Sequence, residues 1–175
     1  MARIEPLDLT SASLEAKLAF DDGVKKFGRM TNMKVTLLRS LPAYDALMTW
    51  YPLREHLLTF LSERAFDLYA HAISNAAECP VCTNYFRRVL IEAGDDPKAP
   101  RLDERETALV AFGRAIGLDP RDVPNSVYLG LLPFFDQDQI VALVGFAGMM
   151  VATNIVNNAL HVDVDDYLQP YLEQS

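Results

Sequence analysis

Three features of the sequence predict an all-α fold. Apolar positions recur at helical spacing, residues that cap helix starts recur ahead of them, and no run of alternating β-branched residues bounded by turns occurs anywhere. Half of the 175 residues are hydrophobic and 23% are charged, a composition that supports one well-packed core and leaves no room for a long disordered arm. The chain 1–175 is therefore read as a single helical domain of roughly seven to nine helices.

In chain order, Ser11 to Phe27 carries Leu14, Leu18 and Val24 near helical spacing and is closed by Gly28. Met33 to Leu41 continues in the same style, and Pro42 starts a new element. Ala43 to Trp50 and Leu53 to Phe60 read as short apolar-faced helices divided by Pro52. Ser62 is an N-cap for a helix from Glu63 to about Ala77. The next helix starts at Pro80, ends near Ala93 and is stopped by Gly94, ahead of the loop Asp95-Asp96-Pro97-Lys98-Ala99-Pro100. Asp103 with Glu106 three residues on forms a capping pair for a helix running to Ile116 and stopping at Gly117. Asp119-Pro120 and Val123-Pro124 punctuate the stretch after it. Asp136 with Gln139 repeats the capping pattern before a long helix from Gln137 to about Leu160, and a short helix around Asp165 to Leu172 closes the chain.

Charge excludes some functions. Lys plus Arg total 16 against 24 Asp plus Glu, a net charge of −8, and the basic residues are scattered, so no footprint for nucleic acid is present. Met1 to Leu14 lacks a basic region followed by an apolar run, which argues against a secretory signal and makes the cytoplasm the expected compartment. The uncharged run Ile140 to Asn158 is interrupted by Thr153 and Asn154 and falls short of the roughly 20 apolar residues that cross a bilayer. It reads as a buried core or subunit-interface helix, with no membrane role.

The chemistry concentrates in Cys79-Pro80-Val81-Cys82, which holds the only two cysteines. With Pro80 as the first helical residue, Cys79 becomes the N-cap and Cys82 lies in the first turn, where free N–H groups and the positive helix end favour thiolate. Two buried structural thiols are an alternative, since free cysteine packs as a small hydrophobe. A zinc site would need two further ligands, and neither a second cysteine pair nor a His-x₃₋₅-His follows. In the cytoplasm such a pair is kept reduced and used in turnover, so a redox dithiol without metal or organic cofactor is the leading reading. Asp163-Val164-Asp165-Asp166 lacks the glycine and terminal glutamate of a calcium loop and reads as a helix start.

Asp67 and His71 stand one turn apart on the helix preceding the cysteines, so a carboxylate could orient an imidazole that moves a proton to or from a thiol. The same spacing also suits an ordinary pair on a solvated face. Tyr85 and Glu78 are weaker candidates for the base, and His56 and His161 carry no distinguishing context.

These residues resemble the alkylhydroperoxidase D-like and carboxymuconolactone decarboxylase-like superfamily, a group of oligomeric all-α proteins built as an orthogonal helical bundle. The resemblance covers most of the chain. It comprises Leu61-Ser62-Glu63-Arg64 opening a helix, Asp67 twelve residues before Cys79, the cysteine pair, the basic helix ending in Gly94, Leu102 to Leu109, and Phe135 to Ile140 followed by Asn154 and Asn157-Asn158. The resemblance implies a peroxidase that reduces hydroperoxides, with Cys82 attacking the peroxide oxygen, Cys79 resolving the sulfenic acid, and Asp67 as relay acid in place of a glutamate. An external dithiol or thiol-protein would be the reductant, and a homo-oligomer, a trimer or a multiple of it, the assembly. The family pattern has histidine where this chain has Phe86, and some members have one where this chain has Val81, so His71 is the candidate substitute base. Helix-end electrostatics and exposure favour Cys79 as nucleophile toward an external dithiol, whereas the resemblance favours Cys82 toward peroxide. Two other readings remain: a decarboxylase-type protein, although that branch generally lacks the cysteine pair, and a non-catalytic oligomer in which Phe86 has closed the site.

Overall fold

The computed structural model describes residues 2–172. Among these the secondary structure is helical, in the order α1 (Leu14–Phe27), α2 (Asn32–Leu37), α3 (Leu41–Met48), α4 (Trp50–Leu57), α5 (Glu63–Ala76), α6 (Pro80–Glu92), α7 (Glu104–Leu118), α8 (Asn125–Leu131), α9 (Gln137–Leu160) and a closing 3₁₀ turn Asp166–Tyr171.

Side-chain caps set most of the starts. Ser62 Oγ accepts from the Ala65 N–H at α5, and complete capping boxes open α7 (Asp103 with Glu106) and α9 (Asp136 with Gln139). Gly28 and Gly94 close α1 and α6 at φ 71° and 88°, the left-handed region that glycine enters without steric cost.

Several expected boundaries move, among them the Met33 to Leu41 helix, which ends at Leu37, and two of the shifts have a plain physical reason. Pro52 does not divide helices. It sits in the first turn of α4, where its missing N–H has no intrahelical acceptor to lose, and the break falls at Thr49. Gly117 does not stop α7, which runs on to Leu118. A Cβ at Gly117 would collide with the Ile73 carbonyl oxygen, and one at Gly113 would lie 2.8 Å from the Tyr69 ring. These glycines allow α5 and α7 to approach closely, and that helix pair forms the centre of the fold.

Phe66, Tyr69, Ala70 and Ile73 of α5 are wholly buried between α7, α6 and α9, each large apolar side chain contributing about 1.5–3 kcal/mol by leaving water. Arg64, from the start of α5, grips Asp95 in a two-pronged contact of 2.7 and 2.9 Å, reaches the Arg101 carbonyl at 3.0 Å, and also contacts Glu106. One guanidinium thus ties the 95–101 loop and the start of α7 to α5.

The core face of α9 (Ile140, Leu143, Phe146, Ala147, Met150) packs into this centre. By length and composition α9 could cross a membrane, but here it is the core's main strut. A second apolar cluster, Leu37, Leu38, Tyr44 and Leu47, packs against Met149, Ala152 and Val156 farther along α9. Between the two clusters lies a cavity that the cysteine segment borders. On α1 the expected stripe is turned outward: Leu14 and Leu18 are exposed, and Ala16 and Gly23 face inward.

Candidate active site

The backbone enters α6 through Glu78 at φ 49°, a left-handed conformation that a non-glycine residue keeps only when its surroundings hold it. Two hydrogen bonds do so: the Cys79 N–H donates to the Ser74 carbonyl at 3.1 Å, and the Asn158 amide donates to the Ala77 carbonyl at 3.0 Å. The chain then turns into α6 with Cys79 as N-cap and Pro80 as the first helical residue, as the sequence predicts. Cys79 Sγ accepts from the Cys82 N–H at 3.4 Å. Both thiols are free.

Exposure separates them in the direction opposite to that expected. Cys79 is wholly buried, packed with Val81 and Val162, whereas Cys82 keeps 6% of its surface and faces a cavity of about 410 Å³. The two sulfurs share one hydrogen bond. Accepting the Cys82 S–H lowers the pKa of Cys79, helped by the Cys82 and Val81 N–H groups at the helix start; donating it, together with burial, raises that of Cys82. Asn157 of α9 donates its amide to Cys82 Sγ at 3.1 Å and to Met33 Sδ at 3.5 Å, and it lowers the pKa of both cysteines. The sulfur facing the cavity is thus Cys82, with an amide donor beside it and a resolving thiol behind it.

The cavity opens between α1–α4 on one side and α6, α9 and the 3₁₀ turn on the other. Phe27, Trp50, Tyr51, Tyr85, Phe86 and Tyr167 give it an aromatic wall. Phe86 is buried and packs edge-on against Phe66, and it lines the cavity without filling it. Lys34, Asp165, Arg29 and Arg88 supply the charged part of the wall.

The expected relay lies elsewhere. Asp67 and His71 are half-buried on α5, and no α5 residue lines the cavity among the described residues. Burial pushes the Asp67 carboxyl up to about 6 against the opposing pull of Arg54. Tyr85, a weaker sequence candidate, does line the cavity, while Glu78 is exposed outside it. Sequence reasoning missed Lys34, noted Asp165 only within a helix start, and noted Asn157 only in the run that closes the long helix. Each reaches the site through contacts between distant segments, which residue spacing does not encode.

No protein-family model matches the sequence, and no curated protein does. Solved structures do match in shape along nearly the whole chain. The debrominase Bmp8, in a variant with one cysteine replaced by alanine bound to 2,3,4-tribromopyrrole, is similar at TM-score 0.75 and 15% identity, covering 96% of this chain and 94% of that one. A peroxidase-related protein from Silicibacter matches at TM-score 0.72 and 18% identity, over 94% of this chain and 93% of that one. An alkylhydroperoxidase AhpD core from Ralstonia eutropha matches at TM-score 0.73 and 14% identity, over 95% and 94%. The chain has the AhpD-like fold. At these identities the likeness carries the AhpD-like architecture alone, and the chemistry has to come from this chain's own residues.

Proposed function

We propose that this AhpD-like protein is a thiol-dependent oxidoreductase that reduces a small electrophile, a hydroperoxide first of all, through Cys82 and Cys79. The observation that carries the reading is the placement of Cys82 Sγ on the cavity wall with the Asn157 amide at 3.1 Å and Cys79 hydrogen-bonded behind it. In the first step Cys82 gives its proton to Cys79 along their shared hydrogen bond and attacks a peroxide oxygen as thiolate; an S–O bond forms, the O–O bond breaks, and the departing alkoxide takes a proton. Cys82 is then a sulfenic acid. Cys79 displaces its oxygen as water, closing the Cys79–Cys82 disulfide, and an external dithiol or thiol-protein returns two electrons.

Proton delivery in this scheme falls to Tyr85, which lines the cavity, rather than to Asp67 and His71, which do not. The protein works in the cytoplasm as a homo-oligomer, a trimer or a multiple of it. Exposed Val141, Val144 and Ile155 on α9 and Leu14 and Leu18 on α1 supply apolar surface for copies to cover. Sedimentation as a monomer at micromolar concentration would overturn the assembly.

A second reading uses the same sulfur chemistry on a halogenated aromatic ring. It is supported by the aromatic wall and by the brominated pyrrole bound in one similar structure. Cys82 would take bromine from carbon, the ring carbanion would pick up a proton, and Cys79 would displace bromide to give the same disulfide. Anaerobic thiol counting with one equivalent of cumene hydroperoxide, and separately with a bromopyrrole, tests both. Loss of two thiols per chain with release of alcohol or of bromide identifies the substrate; no loss with either rejects the dithiol reading.

A further inference from the structure

The cavity that Cys82 faces contains a buried cation that the dithiol does not use. Lys34, on α2, is 7% exposed and is the only fully buried lysine or arginine among the described residues. Its ammonium donates to Tyr51 Oη at 2.8 Å and lies 4.1 Å from the Phe27 ring centre, with the Tyr51 ring at 5.3 Å and stacked on Phe27. A lysine ammonium has three donors, and this hydroxyl takes one.

Burying an ammonium is costly, and the hydroxyl, the two rings and the Coulombic pull of Asp165 offset that cost only in part, since burial still lowers the pKa of Lys34 to about 8. Asp165 is the acid in the wall, but its Oδ1 accepts the Asn32 N–H at 2.8 Å, its Oδ2 is buried without a hydrogen-bond partner, and the two side chains form no ion pair. The thiols do not fill the role either, since the groups acting on Cys82 are Cys79 and Asn157. Of the other cations in the wall, Arg29 stacks on the Tyr167 ring at 3.9 Å and Arg88 pairs with Glu92 at 2.6 Å. With Arg88 paired to Glu92, Lys34 and Arg29 against Asp165 still leave this wall with an excess positive charge in a protein of net charge −8. Phe27 and Tyr51 supply aromatic rings beside the ammonium, and Trp50 lines the same cavity.

We propose that the cavity binds a small planar aromatic acid, its carboxylate held by Lys34 and the Tyr51 hydroxyl and its ring against the aromatic wall. Resting on the dithiol reading, this names the class of substrate that Cys82 reduces: an aromatic acid that carries the electrophilic atom on its ring or side chain. At about 410 Å³ the cavity has the size of a small-molecule site. A carboxylate entering it exchanges water for a charge-assisted hydrogen bond in a dry environment, where such bonds are strongest.

Trp50, the only tryptophan, lies in the cavity wall, so its fluorescence reports occupancy directly. The reduced protein is titrated with benzoate and with benzamide, its neutral isostere. Neither carries an electrophile, so the result does not depend on the thiols. Benzoate is expected to bind about tenfold or more tighter than benzamide, the usual weight of a hydrogen bond to a charged group. Lys34→Met, which keeps the length of the side chain, should bring benzoate down to the benzamide level and leave benzamide unchanged. Tyr51→Phe, which keeps the ring and the ammonium, should lose part of the preference. Equal affinity for the two probes in the unmodified protein, or binding of neither, would overturn the proposal even if Lys34→Met does not fold. An undiminished benzoate preference in a folded Lys34→Met variant would do the same. Benzoate selectivity together with an unchanged thiol count would sink the dithiol reading and leave the acid site standing; the reverse pattern would do the opposite.

Discussion

Replacing Asn157 with leucine, a side chain of similar shape, removes the amide that donates to Cys82 Sγ at 3.1 Å. A hydrogen bond to a charged acceptor contributes about 1.5–3 kcal/mol, and one pKa unit corresponds to about 1.36 kcal/mol. The apparent pKa of Cys82, read without Cys79, should therefore rise by about one to two units. The sign follows from the donor: it favours thiolate over thiol, so its loss favours the protonated pair. Below that pKa each unit lowers the thiolate population about tenfold, and alkylation at fixed pH should slow by that factor. The assay is the rate of iodoacetamide alkylation against pH, read on Cys79→Ser and Cys79→Ser/Asn157→Leu so that only Cys82 reports. Asn157 Oδ1 has no hydrogen-bond partner, so the leucine also removes an unsatisfied acceptor and the fold is expected to survive. Superimposable pH profiles in two folded variants would refute the assignment of Asn157 as the residue that sets thiolate stability.

Phe86→His places an imidazole in the cavity wall beside Cys82 and should raise hydroperoxide turnover by one or more orders of magnitude, within the 10²–10⁴-fold range of acid–base groups; an unchanged steady-state rate would mean that another group already moves the proton, and adding His71→Ala would show whether His71 is that group. Asp67, pushed up to about 6 by burial, holds its proton in the folded chain over a range where the unfolded chain has lost it, so stability should fall as pH rises from about 4 to 6. Asp67→Asn should flatten that slope in denaturant melts, and an unaltered slope would contradict the burial argument. Gly117→Ala drives a methyl group into the Ile73 carbonyl and should cost about 1–3 kcal/mol, read as a lowered midpoint in thermal unfolding; an unshifted midpoint would mean that α5 and α7 can separate freely.

Local chemistry was the legible part of this chain. Ser62, the Asp103–Glu106 and Asp136–Gln139 boxes and Gly94 announce helix ends because a cap is made within a few residues of its own backbone. Pro52 and Gly117 misled for one reason: each residue type breaks helices in isolation, yet one occupies a first turn and the other a close helix crossing, and only tertiary structure tells these apart. The α8 helix, which comes after Pro124 without a side-chain cap, gave no start signal beyond that proline. On α1 the stripe Leu14, Leu18, Val24 has the right period and faces outward, because periodicity identifies a face without saying what covers it. At the site, the Cys79 cap was readable from Pro80 alone, whereas Asn157 meets Cys82 across 75 positions of sequence. Lys34 looked like one more scattered basic residue until the fold brought it to Tyr51, 17 positions on.

The aromatic packing around Phe86 sets how this pocket can change over evolutionary time. Phe86 meets Phe66, which meets Phe146 and Trp50, so one side of the pocket is continuous with the rings that hold the domain together. Enlarging the pocket there by Phe86→Ala would cost about 3–5 kcal/mol, a large part of the stability a domain of this size possesses. The opposite side belongs to the smaller cluster, where Met33 and Met48 border the pocket with flexible side chains that repack at little cost. New ligand preferences therefore have one inexpensive direction in which to arise, the α2–α3 side, while the floor beneath Cys82 stays fixed by the fold's own survival.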